Sequence, residues 1–306
     1  MYKVAVMMST YNGEKYVAEQ IESILCQRGV EVELFIRDDG SSDFTESILK
    51  EFADRHANIH YSLEQNVGVA NSFMNLLYAT PDSFDFYAFA DQDDIWLEDK
   101  LCAGVRMLEQ TGKMLYGSNQ ECVDKDGNSL GLRYASDVRI HVKPLEIMTS
   151  NMIAGCTMVF TDKLFKILQA NEHRPSEELL RNRIHDVWVA IVASVYDGII
   201  YDTSSYIKYR QHENNVVGAK TSFKKRIKDK WQKLTDSKHR GGRSKLAREV
   251  AKLFPEQAEQ YPLFIAASQC DTRSGRKQVL KNKKAFTEIS KESNLTFKLK
   301  VWFKVF

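Results

Sequence analysis

The sequence predicts an α/β fold in which a mostly parallel sheet is flanked by helices. Three observations carry this. Short apolar runs alternate with amphipathic helical segments. Each early apolar run ends in a cluster of turn-forming polar residues. The chain, at 306 residues, is long enough for one large α/β unit with an appendage or for two domains.

The elements follow in order. Residues 3–8 form an apolar strand that stops at Ser9-Thr10-Tyr11-Asn12-Gly13, and Val17, Ile21, Ile24 and Leu25 then line one face of a helix that ends before Gly29. Val32–Ile36 make a second strand, which runs into Asp38-Asp39-Gly40-Ser41-Ser42-Asp43 and a helix through Ile48, Leu49 and Phe52. A third strand, Ile59–Leu63, leads to Asn66-Val67-Gly68 and a helix carrying Phe73, Leu76 and Leu77; a fourth, through Phe84–Phe89, reaches Asp91-Gln92-Asp93-Asp94. Right-handed crossovers between parallel strands place all four polar ends on one edge of the sheet, where α/β proteins bind ligands.

Beyond a helix from Leu97 to about Glu109 the pattern changes. Strands are expected at 113–118 and 152–160, with a hairpin signal at Asp126-Gly127-Asn128. A helix near Leu164–Ala170 follows. A charged loop then delivers His185-Asp186 to the apolar helix Val187–Val195, and a strand over 199–209 ends at Arg210-Gln211-His212.

Composition excludes several classes. No stretch approaches the roughly 18 apolar residues of a membrane span, and no cleavable leader is visible. Five scattered cysteines suit reduced thiols in a cytoplasm. Residues 1–219 hold 20 Lys and Arg against 33 Asp and Glu, whereas 220–306 hold 23 against 8. The charge break predicts one domain over 1–218, whose pattern changes near residue 110 into a second half over 111–218, and a basic, mainly helical region over 219–306. Phe223, Ile227, Trp231 and Leu234 fall at helical spacing among lysines, the pattern of a helix on an anionic membrane surface or against a second subunit of a homodimer. The final LTFKLKVWFKVF fits strand and helix alike. Arg240-Gly241-Gly242-Arg243 alone does not argue for RNA, and no nucleic-acid partner is expected.

Three acids crowded at a strand end repel one another unless a cation neutralises them. Mg²⁺ and similar hard ions take one or two such carboxylates plus phosphate oxygens. Any of these acids could instead cap a helix or hold a turn. No glycine-rich phosphate loop is present, so anion binding would rest on the ion and a few side chains.

The order STYNGEKYV, DDGSSD, NVG, DQDD, HD and RQHENN, over about the first 215 residues, resembles the inverting family 2 glycosyltransferases of GT-A fold, and in flavour the rhamnosyltransferases of bacterial cell-surface polysaccharides. That resemblance implies a set of roles. Asp39 reads the base of a nucleoside-diphosphate sugar, Thr10 and Tyr11 line the nucleoside pocket, and Asp91 takes the ribose. Asp93 coordinates Mn²⁺ or Mg²⁺, with Asp94 as the competing ligand. Arg210 assists at the diphosphate and His212 at the metal or diphosphate. Asp186 is the base that deprotonates the acceptor, and His185 either tunes it or faces the acceptor.

The expected reaction is rhamnosyl transfer from dTDP-rhamnose to a lipid-linked saccharide by a peripheral protein at the cytoplasmic face of the membrane. A UDP-hexose or UDP-N-acetylhexosamine transferase is the alternative, and a non-catalytic nucleotide-binding membrane adaptor the reading from another class. A sugar-phosphate nucleotidyltransferase would need a glycine-rich activating loop that STYNG is not. Two departures from the family stand out: the Q-x-x-R-W motif of processive members does not occur, and Asn71 and Ser72 stand where many members place an Arg after the N-x-G turn.

Overall fold

A computed structural model of the protein describes residues 1–182, 185–211, 242–303 and 306. His212 and the basic stretch over 220–241 lie outside the described residues.

The strands are β1 (Tyr2–Thr10), β2 (Val30–Asp38), β3 (Ile59–Leu63), β4 (Phe86–Ala90), β5 (Ile95–Trp96), β6 (Leu115–Val123), β7 (Ser129–Leu132), β8 (Val159–Thr161) and β9 (Ile199–Arg210). They form one sheet in the order β3-β2-β1-β4-β8-β6-β9-β5, with β7 paired to β6. The helices of the first 195 residues are α1 (Val17–Leu25), α2 (Thr45–Arg55), α3 (Val69–Ala79), α4 (Lys100–Thr111), α5 (Pro144–Thr149), α6 (Asp162–Gln169), α7 (Glu177–Asn182) and α8 (His185–Val195).

β1 lies between parallel partners β2 and β4, with Thr10 opposite Asp38 and Met8 opposite Ala90. Both of its faces are covered. Val4, Val6 and Met8 join a core under α1, α2 and α4, while Ala5 and Met7 join a second core containing α3, α6 and α8. This explains its unbroken apolar run, since a parallel strand buried on both faces does not alternate. α8 is apolar all round for the same reason: every residue from His185 to Val195 is buried.

The sheet becomes mixed beyond β4, because β8 runs antiparallel to both β4 and β6. Several expectations are corrected there. The span 152–160 is not one strand but an irregular stretch, a 3-10 turn at Gly155–Thr157 and the short β8. The hairpin at Asp126-Gly127-Asn128 joins β6 to β7, with Gly127 at φ 86°, a conformation that favours glycine. Residues 95–96, expected to lead into a helix, instead pair with β9, and α4 starts at Lys100. A two-residue strand has too few positions to show a period.

The described part of the basic region is helical, including Asn294–Trp302, where the sequence left strand and helix open. Its helices share the core of the first part: Leu246, Val250, Phe254 and Phe264 lie in the same buried cluster as Phe73 and Trp188. The charge break near residue 218 therefore separates compositions, not cores. Among the described residues no helix is long and apolar enough to cross a membrane.

One glycine reports how closely the layers approach. A Cβ on Gly104 of α4 would lie 2.8 Å from Val159 Cγ2 and 3.1 Å from Tyr116 Cδ1. Alanine gains about 1 kcal/mol of helix propensity over glycine. Val159 is fully buried and stiff at χ1, so overpacking of about 1–3 kcal/mol decides the sign. Gly104→Ala is expected to lower the urea midpoint with an unchanged m value; an equal or higher midpoint would contradict this packing.

Candidate active site

The carboxyl ends of β1, β2 and β4 meet at one edge, and their loops are tied together by side chains. Gln92 bridges the turn after β4 to the turn after β1: its Oε1 accepts from Tyr11 N at 2.8 Å and its Nε2 donates to Tyr11 O at 3.0 Å. A Cβ on Gly13 would come 2.4 Å from that Oε1, so a larger residue there would displace the Gln92 carboxamide from this bridge. The loop after β2 is held to the same turn, with Asn12 N donating to Ser41 Oγ and Gly13 N to Thr45 Oγ1, both at 2.8 Å.

Asp38 and Asp39, the first two acids of DDGSSD, are buried and committed. Asp38 accepts from Thr10 Oγ1 at 2.8 Å and from Ser41 N and Oγ, which leaves the Thr10 side chain turned inward with no exposed surface. Asp39 forms a 2.5 Å ion pair with Arg37 and accepts from Val67 N and Gly68 N, each at 2.9 Å. Asp39 thus shapes the Asn66-Val67-Gly68 turn that starts α3. A carboxylate has about four acceptor sites, so these bonds leave room for one more donor. Arg37 also donates to Ser72 Oγ at 2.9 Å. A guanidinium does stand beside the N-x-G turn, then, but it comes from β2. Tyr11 is half exposed and available to a ligand.

Asp91, Asp94 and Cys156 offer ligand atoms within 4.8 Å of one another. Burial, then the charges of Asp93 and Asp186, push the Asp91 carboxyl up to about 7; burial and the charges of Asp93 and Asp91 push Asp94 well above its usual value. Asp94 accepts from Arg210 N at 3.1 Å through Oδ1, while its buried Oδ2 has no hydrogen-bond partner among the described residues. Such an orphaned oxygen beside the Asp91 carboxyl, in the field of Asp93, fits a divalent cation. The thiol does not, because burial raises the Cys156 pKa and keeps it protonated, unlike the thiolate a soft metal requires. The geometry thus gathers Asp91 with Asp94 as candidate oxygen ligands; Asp93, the ligand the resemblance implies, is not in that group, although its charge acts on both.

Asp186 reaches this cluster from the first turn of α8. The residue is 8% exposed, and burial pushes its carboxyl up to about 7, against smaller opposing effects of the Val187 N–H, the Arg133 charge and the Gly155 N–H. A carboxylate in that range is matched to proton abstraction near neutrality. His185 beside it does not tune it by charge: burial lowers the ring to about 3, so it is neutral. The ring stacks on Phe73 at 3.9 Å and meets Phe89 edge-on at 5.0 Å. A Cβ on Gly155 would lie 2.6 Å from His185 Nε2, so this glycine leaves room for the histidine.

The Arg210 guanidinium is buried and donates to Asp93 O, Lys125 O and Glu19 Oε2 at 3.0, 3.0 and 2.6 Å, so it fastens the acidic turn. Two residues without a local signal in sequence join the site. Arg133, after the β6–β7 hairpin, donates to Gln120 Oε1 at 2.7 Å and lies close enough to Asp186 to favour its charge. Lys100 is fully buried 3.5 Å over the Trp96 ring, near Asp94, and burial lowers it to about 7. A cavity of about 370 Å³ lined by Asp82, Asp85, Glu109 and Asp162 lies at the opposite edge, where β1 and β4 begin, and takes no part in this chemistry.

A parallel half-sheet that gathers acids at one edge, closed by a mixed half that sets a buried carboxylate against them, is the GT-A glycosyltransferase arrangement. Solved structures agree: TarS residues 1–349 of S. aureus, in complex with UDP-GlcNAc, superposes with a TM-score of 0.60 over 99% of this chain and 90% of that one, at 16% identity. The model of glycosyl transferase family 2 matches residues 5–166, and the chain belongs to that family. Among its relatives, the dTDP-rhamnosyl transferase RfbG of Shigella flexneri is 31% identical over 72% of this chain and 77% of its own length. The UDP-Glc:alpha-D-GlcNAc-diphosphoundecaprenol beta-1,3-glucosyltransferase WfgD of Escherichia coli is 28% identical over 77% and 86%.

Two outcomes follow from this geometry. Because only ionised Asp186 can accept a proton and its pKa is raised, kcat/KM is expected to fall as pH drops through a value above the ordinary carboxylate range. Asp186→Asn should cost about 10²–10⁴-fold in kcat with donor affinity kept; a flat profile down to pH 4 would remove the residue from this role. Asp39→Ala strands the buried Arg37 guanidinium, so it should destabilise the fold by about 3–5 kcal/mol in chemical unfolding. Weaker donor binding with unchanged stability would show that Asp39 acts on the ligand alone.

Proposed function

We propose that this protein is a metal-dependent, inverting glycosyltransferase that moves L-rhamnose from dTDP-rhamnose onto a hydroxyl of a lipid-linked saccharide in cell-surface polysaccharide synthesis, at the cytoplasmic face of the membrane. The observation that carries the reading is the buried carboxyl of Asp186 standing against the acidic turn closely enough that its charge raises Asp91. The relationship to RfbG supports the rhamnosyl donor, and the diphosphoundecaprenol-linked acceptor of WfgD supports an acceptor on a lipid diphosphate.

The nucleoside would lie against Tyr11 over the β1 and β2 loops, with Asp39 accepting from the base and Asp91 near the ribose. Asp93 and Asp94, with Asp91 beside them, would hold Mn²⁺ or Mg²⁺, which when bound offsets the negative charge of the leaving diphosphate. Asp186 takes the proton of the acceptor hydroxyl as its oxygen bonds to the anomeric carbon. The bond from that carbon to the phosphate oxygen breaks on the opposite face, so configuration inverts. Arg133 keeps Asp186 ionisable, and the neutral His185 wedge holds the start of α8 in place.

A second reading, a UDP-glucose or UDP-N-acetylglucosamine donor, is favoured by the UDP-Glc donor of WfgD and the UDP-GlcNAc bound to TarS. Donor hydrolysis by the purified protein over dTDP-rhamnose, UDP-glucose and UDP-N-acetylglucosamine, with Mn²⁺, Mg²⁺ or chelator, separates them. Turnover is expected to be highest with dTDP-rhamnose and lost in chelator. A UDP-sugar preference transfers the reading to the second donor class, full activity in chelator removes the metal, and no turnover of any donor leaves the adaptor.

A further inference from the structure

The helix Asn294–Trp302 has two faces of opposite character. Phe297 and Val301 are fully buried, and Phe297 packs on Phe286 and Phe306 with ring centroids 5.4 and 5.5 Å apart. On the other side Leu295, Leu299, Trp302 and Phe303, at i, i+4, i+7 and i+8, are 68, 41, 72 and 64% exposed. Single exposed apolar side chains are ordinary, but four large ones in a row along one helix face mark a surface that meets something.

Charge decides what that is. Residues 271–306 hold ten Lys and Arg against three Asp and Glu. Lys298 sits within the apolar stripe, and Lys277, Lys281, Lys284 and Lys291 are exposed on the same stretch of chain. A second copy pairing through this face by two-fold symmetry would set like charge against like. Anionic headgroups would instead be neutralised by the lysines while the apolar stripe enters the acyl boundary, with the Trp302 indole at headgroup level.

We infer that the exposed face of Asn294–Trp302, continued by Phe303, docks the protein on an anionic phospholipid surface. The contact is coupled to the site. The helix Lys283–Ser290 that supports it packs on α5, and α5 packs on α8, which begins with His185 and Asp186. Docking therefore holds the half that carries Asp186 against the leaflet that would carry a lipid-linked acceptor, a point that rests on the reading above; the docking itself rests on exposure and charge alone.

The test is co-sedimentation of the full chain with vesicles of mixed phosphatidylglycerol and phosphatidylcholine, or of phosphatidylcholine alone. Wild type is expected to bind the mixed vesicles and to lose most binding on the neutral ones. A Leu299→Ser, Trp302→Ser double variant, altered only at exposed positions, should bind the mixed vesicles about tenfold more weakly with vesicle-free donor hydrolysis unchanged. No wild-type binding, or undiminished binding by the variant, overturns the proposal. Conversion of a dimer to a monomer by the variant in sedimentation velocity, with vesicle binding intact, assigns the face to a second copy instead. Absence of donor hydrolysis in wild type would defeat the catalytic reading while leaving the vesicle result standing.

Discussion

Carboxylates gathered out of water at one edge of a sheet repel one another, and much of the surrounding structure exists to tolerate that. At an effective dielectric of about 20, two like charges about 4 Å apart repel by about 4 kcal/mol. Asp91, Asp94 and Asp186 all sit in this field with raised pKa values. The protein offsets it with cations and donors placed around the rim: the Arg210 N–H on Asp94, the Arg133 charge near Asp186, and the Lys100 ammonium behind the turn. A diphosphate-bearing ligand with its divalent cation would complete the neutralisation, so the site is poised to bind because it is electrostatically unfinished.

The loops that carry these acids depend on one another more than on their own strands. Gln92 pairs with the Tyr11 backbone as a strand would, Asp38 gathers Thr10 and Ser41, and Asp39 gathers Arg37 with the turn before α3. Four segments separated by as many as 81 residues are thereby locked into one rim without a glycine-rich phosphate loop. The buried Asp39–Arg37 pair belongs to this scaffold. Burying an ion pair adds little net stability, but removing either member leaves an uncompensated charge.

The half of the molecule that presents Asp186 is supported from behind by the helices of the basic region. Leu246, Phe254 and Phe264 share a core with Trp188 of α8. Positive surface and catalytic core are thus parts of one packed body: lysines lie outside, apolar residues inside, and the helices carry both.

The sequence by itself determined the α/β class, the first four strands with their helices, and the acidic turns at their ends, because hydrophobic periodicity and turn residues are local properties. It also pointed to Asp186, through an acid placed at the start of an apolar helix. Only the tertiary structure decided the rest. That Arg210 donates to Asp93, Lys125 and Glu19, that β5 pairs with β9 across more than a hundred residues, and that Lys100 and Arg133 attend the acids all depend on distances between segments that no local pattern encodes. The same holds for Gly155: only the packed helix behind it shows that its missing side chain makes room for His185.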